Sequence, residues 1–331
     1  MRIIINLKHL NRQIEFIHFK MESLKQVPNL LRKGDLMVKI DLKDAYWNVP
    51  IGKKSQELLC FDWGEKRYKF LVLPFGLGPA PRMFTKLMKV PIFLLRRLGI
   101  RIIIYLDDMW IVGSSIQEIT MARDTTIFLL ESLGLVINWE KSSLTALPSC
   151  EFLGVIINSL MMSISLPVTK SLDLISMCNQ VKALRAIPLR ILAKLVGKLL
   201  ATSPAVSVAP IQIRSLQLCL IQALHQKKCY EDTIQLDKDS ILELNWWIIN
   251  LKIIQGKPVN IVPPQVIIST DASLSAWGAH MEGGSTIGDQ WSPSERLLHI
   301  NILELLAVEL ALKTFLKERK VESVTSTTPQ P

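Results

Sequence analysis

Two adjacent acids, Asp107 and Asp108, stand between the apolar runs Ile102-Ile103-Ile104 and Ile111-Val112. Neighbouring carboxylates in such a setting repel one another and lose solvation, a cost that falls when a cation or a proton is shared. Asp-Asp is also an ordinary turn dipeptide. A second acid changes the balance. Asp41 ends the run Val38-Lys39-Ile40-Asp41, and Asp44-Ala45-Tyr46 follows at the bend. An acid at a strand end can meet hairpin acids across a sheet. Three carboxylates around one point suit two hard divalent cations, the arrangement that runs in-line phosphoryl displacement.

The elements around these acids must bring them together. Leu36–Leu42 alternates apolar and polar residues, as a buried strand does. Ile100–Tyr105 and Met109–Val112 predict a hairpin with the acids at its turn. Ala80–Leu98 predicts a helix, with Met83, Phe84, Leu87, Met88 and Leu94 near helical spacing and Pro81 early. Ile116–Leu133 predicts a second helix closed by Gly134. Ser55–Tyr68 reads as two short strands around Asp62-Trp63-Gly64, and Leu135–Asn138 and Glu151–Ile157 as single strands. From Pro167 the pattern turns helical, over Lys170–Leu184, Leu189–Leu200, Ile211–His225 and Ser240–Leu251. Gln255–Pro264 has linker composition. Val266–Trp291 returns to strands, Ser294–Lys320 reads as one helix, and Val321–Pro331 as a disordered tail.

Composition bounds the rest. With 331 residues, 49% of them apolar and 21% charged, the chain is too hydrophobic to be disordered and long enough for two or three domains. Five cysteines at wide spacings, with no CxxC, argue against structural zinc and a disulfide framework. No apolar run approaches the roughly 18 residues of a spanning helix, so the expectation is an intracellular chain, in cytoplasm or nucleus, without a membrane partner. Lys and Arg number 39 against 29 Asp and Glu, net +10, which suits a phosphate-backbone partner.

Six segments in order resemble the blocks of reverse transcriptases. Asp41-Leu42-Lys43-Asp44-Ala45-Tyr46 resembles motif A, Leu73-Pro74-Phe75-Gly76-Leu77 through Phe84 motif B, and Tyr105-Leu106-Asp107-Asp108 motif C. Leu133-Gly134-Leu135 through Lys141 resembles motif D, and Glu151-Phe152-Leu153-Gly154 motif E. Arg2 through Asn11 is similar to the fingers segment that precedes them. Any one block alone is weak; six in order are specific. The Phe-Gly-Leu of motif B resembles retrotransposon enzymes, gypsy-like and above all DIRS-type. Leu195-Val196-Gly197-Lys198-Leu199, Asn245-Trp246-Trp247 and Trp291-Ser292-Pro293-Ser294-Glu295 resemble strings of the DIRS-type group.

The resemblance implies an α+β right-hand polymerase that extends a primer on an RNA or DNA template with deoxynucleoside triphosphates, using two Mg²⁺ or Mn²⁺ ions. Asp41, Asp107 and Asp108 would be the metal carboxylates, Asp41 and Asp107 doing most of the ligation, with the backbone of Leu42 at the ions or the triphosphate. Tyr46 would block a 2′-OH. Arg2 would pair with the triphosphate bidentately. Phe75 and Gly76 would pack the nucleotide, and Lys141 would act as a general acid near the pyrophosphate. For the lone Tyr46 a core aromatic, and for Lys141 a surface lysine, are the plainer roles.

Val266–Ser273 with Ala276–Ala279 resembles the start of a ribonuclease H domain, which acts on RNA/DNA hybrids. Its first acid would be Asp271 and the next Glu304, set by Ile300, Ala307 and Val308 on an apolar helix face. Two later acids of that family have no counterpart before the chain stops. The implied organisation is fingers and palm over 1–160, a helical thumb and connection over 161–260, a truncated ribonuclease H-like α/β domain over 261–320 and a tail over 321–331. Ribonuclease H activity is not expected. The rival expectation is a decayed, catalytically silent retroelement fragment that only binds nucleic acid.

Overall fold

The computed structural model describes residues 5–226, 229–254, 256–259 and 266–316. Two compact units divide the chain, Met1–Asn260 and Ile261–Pro331.

The first unit opens with the short helices α1 (Lys8–Gln13) and α2 (Val27–Leu30), then strand β1 (Leu36–Asp41). A helical turn, α3 (Lys53–Gln56), leads to the hairpin β2 (Cys60–Trp63) and β3 (Lys66–Lys69). The two strands expected over Ser55–Tyr68 are thus shorter. Lys-Lys-Ser-Gln-Glu lacks alternation, and it coils through a hydrogen bond from the Ser55 N–H to the Gly52 carbonyl. Helix α4 (Ala80–Arg97) precedes the hairpin β4 (Arg101–Tyr105) and β5 (Asp108–Gly113). Helix α5 (Ile116–Ser132) follows, capped by the Ser115 side chain accepting from the Glu118 N–H.

Strand β6 (Ser143–Leu147) completes an antiparallel sheet of order β4-β5-β1-β6. Leu135–Asn138 is not a strand: Ile137 makes only an isolated bridge to Leu42, and the pairing with β1 falls to β6.

Period-two alternation sorts this sheet's side chains. Val38 and Ile40 of β1, with Ile102, Met109 and Ile111, form one core with Phe84, Met88, Ile92 and Leu95 of α4 and Ile119, Ala122 and Leu130 of α5. Met37, Ile103, Trp110 and Val112 face the other way, onto the hairpin β7 (Ser149–Phe152) and β8 (Val155–Asn158) through Phe152, Val155 and Ile157. Phe152 stacks on Trp110 at 6.1 Å between centroids. The single strand expected over Glu151–Ile157 is broken into this hairpin because Leu153 and Gly154 both take left-handed φ, 48° and 74°.

Strand β9 (Ser163–Ser165) pairs with β8. Then come α6 (Val168–Ala183), β10 (Ile187–Pro188), α7 (Leu189–Leu200), α8 (Arg214–His225), β11 (Thr233–Ile234) and α9 (Lys238–Asn250). The four helices share an apolar core that includes Leu174, Cys178, Leu195, Leu216, Leu244 and Trp247. Inside the stretch of linker composition, β12 (Lys257–Pro258) pairs with β9.

The second unit is the antiparallel sheet β13 (Ile268–Ala272), β14 (Ala276–Met281) and β15 (Thr286–Gln290), with helix α10 (Ile300–Phe315) packed on β13 and β14. The helix starts at Ile300 rather than Ser294, because His299 caps it and Glu295–Leu297 forms a separate 3₁₀ turn. The expected tail, Val321–Pro331, lies outside the described residues, as does the end of the expected helix at Lys320. Among the described residues no helix is long and apolar enough to cross a membrane.

Candidate active site

Asp41 ends β1 directly opposite Asp108, the first residue of β5. Opposed residues of an antiparallel pair share a face. Both carboxylates therefore lie on the face that carries Tyr105 and Trp110, away from α4 and α5. Asp107 sits in the two-residue turn between Tyr105 and Asp108. Its carbonyl accepts the Leu42 N–H at 2.9 Å, tying the turn to the residue after Asp41. Leu106 in that turn has φ 55°, a conformation that costs a residue with a Cβ about 1–2 kcal/mol. Strain of this kind clusters where surrounding structure fixes a functional geometry.

Asp41 is buried and held on three sides. Asn138 Nδ2 donates to Asp41 Oδ1 at 2.8 Å, and the Asn138 N–H donates to the Asp41 carbonyl at 2.8 Å. Ser142 Oγ accepts the Asp41 N–H at 3.0 Å and donates to the Asn138 carbonyl at 2.7 Å. Asn138 and Ser142 were not singled out in the sequence; their signal was a polar pair four residues apart beside Lys141. The Asp41 carboxyl is raised above its ordinary range. Burial is the largest cause, opposed by the Asn138 donor; the charges of Asp108 and Asp107 raise it further, and Lys141 lowers it. Lys141 is exposed and acts on Asp41 through charge.

This upward shift has a stability consequence. Ionised Asp41 is disfavoured in the fold, so it costs stability above the unfolded carboxylate range. The parent should lose stability, relative to Asp41→Asn, as pH rises from below 3.8 through the raised folded value. Asn at this position keeps an oxygen for Asn138. Thermal unfolding against pH in a chelating buffer should show Asp41→Asn the more stable protein at neutral pH and the gap closing in acid. A parent that is the more stable at neutral pH contradicts this account of the Asp41 environment.

A further cation enters the site. Lys39 shares the Asp41 face by strand alternation, and its Nζ lies 3.1 Å from Asp108 Oδ1. That buried oxygen receives no directed hydrogen bond, so the contact is an ion pair without hydrogen-bond geometry. Among the described residues no three His, Cys, Asp or Glu side chains converge as a metal-binding group. The acids are linked through charge on Asp41, and Asp108 is engaged by Lys39. An all-carboxylate set is nonetheless the donor chemistry that hard divalent cations take.

Tyr46 follows Asp44, whose φ is 48°, in the 3₁₀ turn Ala45–Asn48. Its half-buried ring lies 5.2 Å from Phe75 and 5.7 Å from Phe84, centroid to centroid. Burial, then the charges of Asp107 and Tyr105, push its hydroxyl up to about 12, which places it in the field of the acids. Gly76 has φ 91°, where a side chain would be strained. Its carbonyl accepts from Asn11 Nδ2 at 2.8 Å, while the Gly78 N–H donates to Asn11 Oδ1 at 2.7 Å. Asn11 thus pins the loop that carries Phe75, a task its sequence position did not reveal.

Leu42 is buried beneath the site. Arg2 lies outside the described residues. In the second unit Asp271, on β13, is exposed. Glu304 corrects the expectation of an inward acid: the buried stripe of α10 is Leu303, Ala307 and Ala311, and Glu304 is exposed. One residue is 100° of helix, enough to turn Glu304 off that stripe.

The family described as reverse transcriptase (RNA-dependent DNA polymerase) matches residues 1–157. Polyprotein P3 of Commelina yellow mottle virus is 26% identical over 153 residues, 46% of this chain and 8% of that polyprotein. The enzymatic polyprotein of cauliflower mosaic virus (strain CM-1841) is 23% identical over 329 residues, 95% of this chain and 45% of that one. The solved structure of a foamy viral protease-reverse transcriptase in complex with RNA/DNA hybrid shares the mixed α+β fold. Its TM-score is 0.65 at 19% identity, covering 97% of this chain and 45% of that chain. The chain spans less than half the length of each of these relatives. The opposed acids thus lie within residues 1–157, the segment that matches the reverse transcriptase family and is similar to segments of these viral polyproteins.

Proposed function

We propose that the chain is an RNA-directed DNA polymerase of a retroelement, DIRS-type or gypsy-like, which extends a primer on an RNA or DNA template with deoxynucleoside triphosphates. In this reading residues 1–160 are fingers and palm, 161–260 thumb and connection, and 261–320 a partial ribonuclease H-like domain. The observation that carries it is the placement of Asp41 opposite Asp108 on one sheet face, with Asp107 in the adjoining turn. Asp41 and Asp107 would hold two Mg²⁺ or Mn²⁺ ions, with Asp108 and the main chain of Leu42 beside them. Bound there, such ions make the primer 3′-hydroxyl a better nucleophile and neutralise charge on the triphosphate.

The chain's own groups do the rest. Asn138 and Ser142 fix the Asp41 carboxylate and peptide, so the acid needs no reorganisation when substrate arrives. Tyr46, braced by Phe75 and Phe84, stands under the sugar and excludes a 2′-OH. Gly76, held by Asn11, lets the backbone approach the nucleotide. Lys141 lies within the field of Asp41 and donates a proton to the departing pyrophosphate. Arg2 pairs with the triphosphate.

The test is paired on one preparation: primer extension on RNA and DNA templates, and cleavage of an RNA/DNA hybrid. Extension with deoxynucleotides, stopped by a chelator, is the expected result. Template–primer binding without extension would leave a silent nucleic-acid binder. Hybrid cleavage should be absent, because this reading assigns the nuclease half-site only two acids, Asp271 and Glu304, both exposed. Asp271→Asn should then change neither readout. Cleavage by the parent that disappears in Asp271→Asn would show a working nuclease site.

A further inference from the structure

Lys39 is a cation where the sheet has few reasons to keep one. It stands opposite Trp110 in the β1–β5 register, and Met37, the next residue on the same face, is buried. Lysine is seldom held in such a place unless it is paired. Only about a fifth of its side chain and a quarter of that of Asp108 are exposed. The ammonium pairs with Asp108, the residue diagonal to it across the register. Asp108 Oδ1 has no directed hydrogen-bond donor, so this charge contact is what compensates it. Asp41, by contrast, is bound by Asn138.

From this we infer that Lys39 is a positioning residue that engages Asp108 as a built-in countercharge, leaving Asp41 and Asp107 to bind divalent cations and keeping that binding weak until nucleotide phosphates join. The inference rests on the reading of these acids as ion ligands. Its physical content is charge arithmetic. Three carboxylates carry −3; Lys39 offsets one of these charges and draws one carboxylate aside, beside the more distant charge of Lys141 on Asp41. Removing the cation releases Asp108 toward the ion, so affinity for a divalent cation must rise. A structural lysine that merely packs against Trp110 would leave that affinity unmoved.

The experiment is titration of the full chain with Mn²⁺ in the absence of nucleic acid and nucleotide, read by calorimetry and by the electron paramagnetic resonance of free Mn²⁺. Lys39→Met should lower the apparent Kd roughly tenfold, the scale on which a unit charge acts on a divalent ion at close range under near-water screening. Lys39→Arg should keep the parent value, since the charge is retained. The double variant Lys39→Met/Asp108→Asn should return towards the parent, since the carboxylate that the methionine frees is then absent. Asp41→Asn should weaken binding. Lys39→Gln repeats the neutralisation with a polar side chain should the methionine variant fold poorly. Mn²⁺ affinity unchanged or weaker in both neutral variants overturns the role of Lys39, while weakening by Asp41→Asn would still uphold the acid site. No saturable Mn²⁺ binding by the parent overturns the ion-ligand reading of the acids and the inference with it.

Discussion

Asp107→Asn is expected to abolish primer extension, a loss of at least about 1,000-fold, the upper end of what losing one electrostatic partner costs a transition state. Template–primer affinity should stay within about threefold of the parent, because duplex binding is spread over many Lys and Arg contacts with phosphates. The structure separates these effects. The hydrogen bond that ties the hairpin turn to Leu42 is accepted by the main-chain carbonyl of Asp107, so an amide side chain leaves it in place. The chain carries a surplus of ten cationic side chains, and neutralising one acid changes that surplus little. The measurements are single-nucleotide extension and fluorescence anisotropy of a labelled template–primer at one fixed salt concentration. Extension within about tenfold of the parent would remove Asp107 from the reacting centre. Extension and affinity lost together would make the turn a structural support of the binding cleft.

The acids were legible because their chemistry is local in sequence. An Asp-Asp pair between β-branched runs and an acid at the end of an alternating strand state both the carboxylates and the elements that carry them. Alternation over Leu36–Leu42 also marked a buried strand, which the fold has as β1. The residues that hold Asp41 were less legible. Asn138 and Ser142 lie 97 and 101 residues downstream, and no periodicity marks a side chain whose task is to bond one distant carboxylate and peptide. Asn11 is the same case at 65 and 67 residues. Lys39 was hidden differently: alternation put it on the Asp41 face, but only the strand register shows that its partner is Asp108. Turns account for the remaining differences. Leu153 carries a Cβ and gave no sign of a left-handed conformation, so a hairpin read as one strand. Glu304 was misplaced by a single helical step, where apolar residues flank the buried stripe on both sides and blur its centre.

Tyr46→Val and Tyr46→Ala are expected to raise the use of ribonucleotides relative to deoxynucleotides by about 10–100-fold, the range over which removing a steric block shifts selection between close analogues. The ring, not the hydroxyl, is the operative part. With its hydroxyl pushed up to about 12, Tyr46 stays neutral throughout the working range, so discrimination should not vary with pH on its account. Tyr46→Phe should therefore select as the parent does. Either truncation also removes packing against Phe75 and Phe84 and so destabilises the fold. That loss does not mimic the predicted effect. The readout is a ratio of kcat/KM values for two nucleotides on one enzyme preparation, and a smaller folded fraction lowers both alike. A gate and a core aromatic thus give different results: the gate shifts the ratio, and the core aromatic lowers both rates with the ratio fixed. If Val and Ala variants both reject ribonucleotides as well as the parent does, Tyr46 is a brace between two cores, and the selecting group must be sought elsewhere on the loop that Asn11 holds.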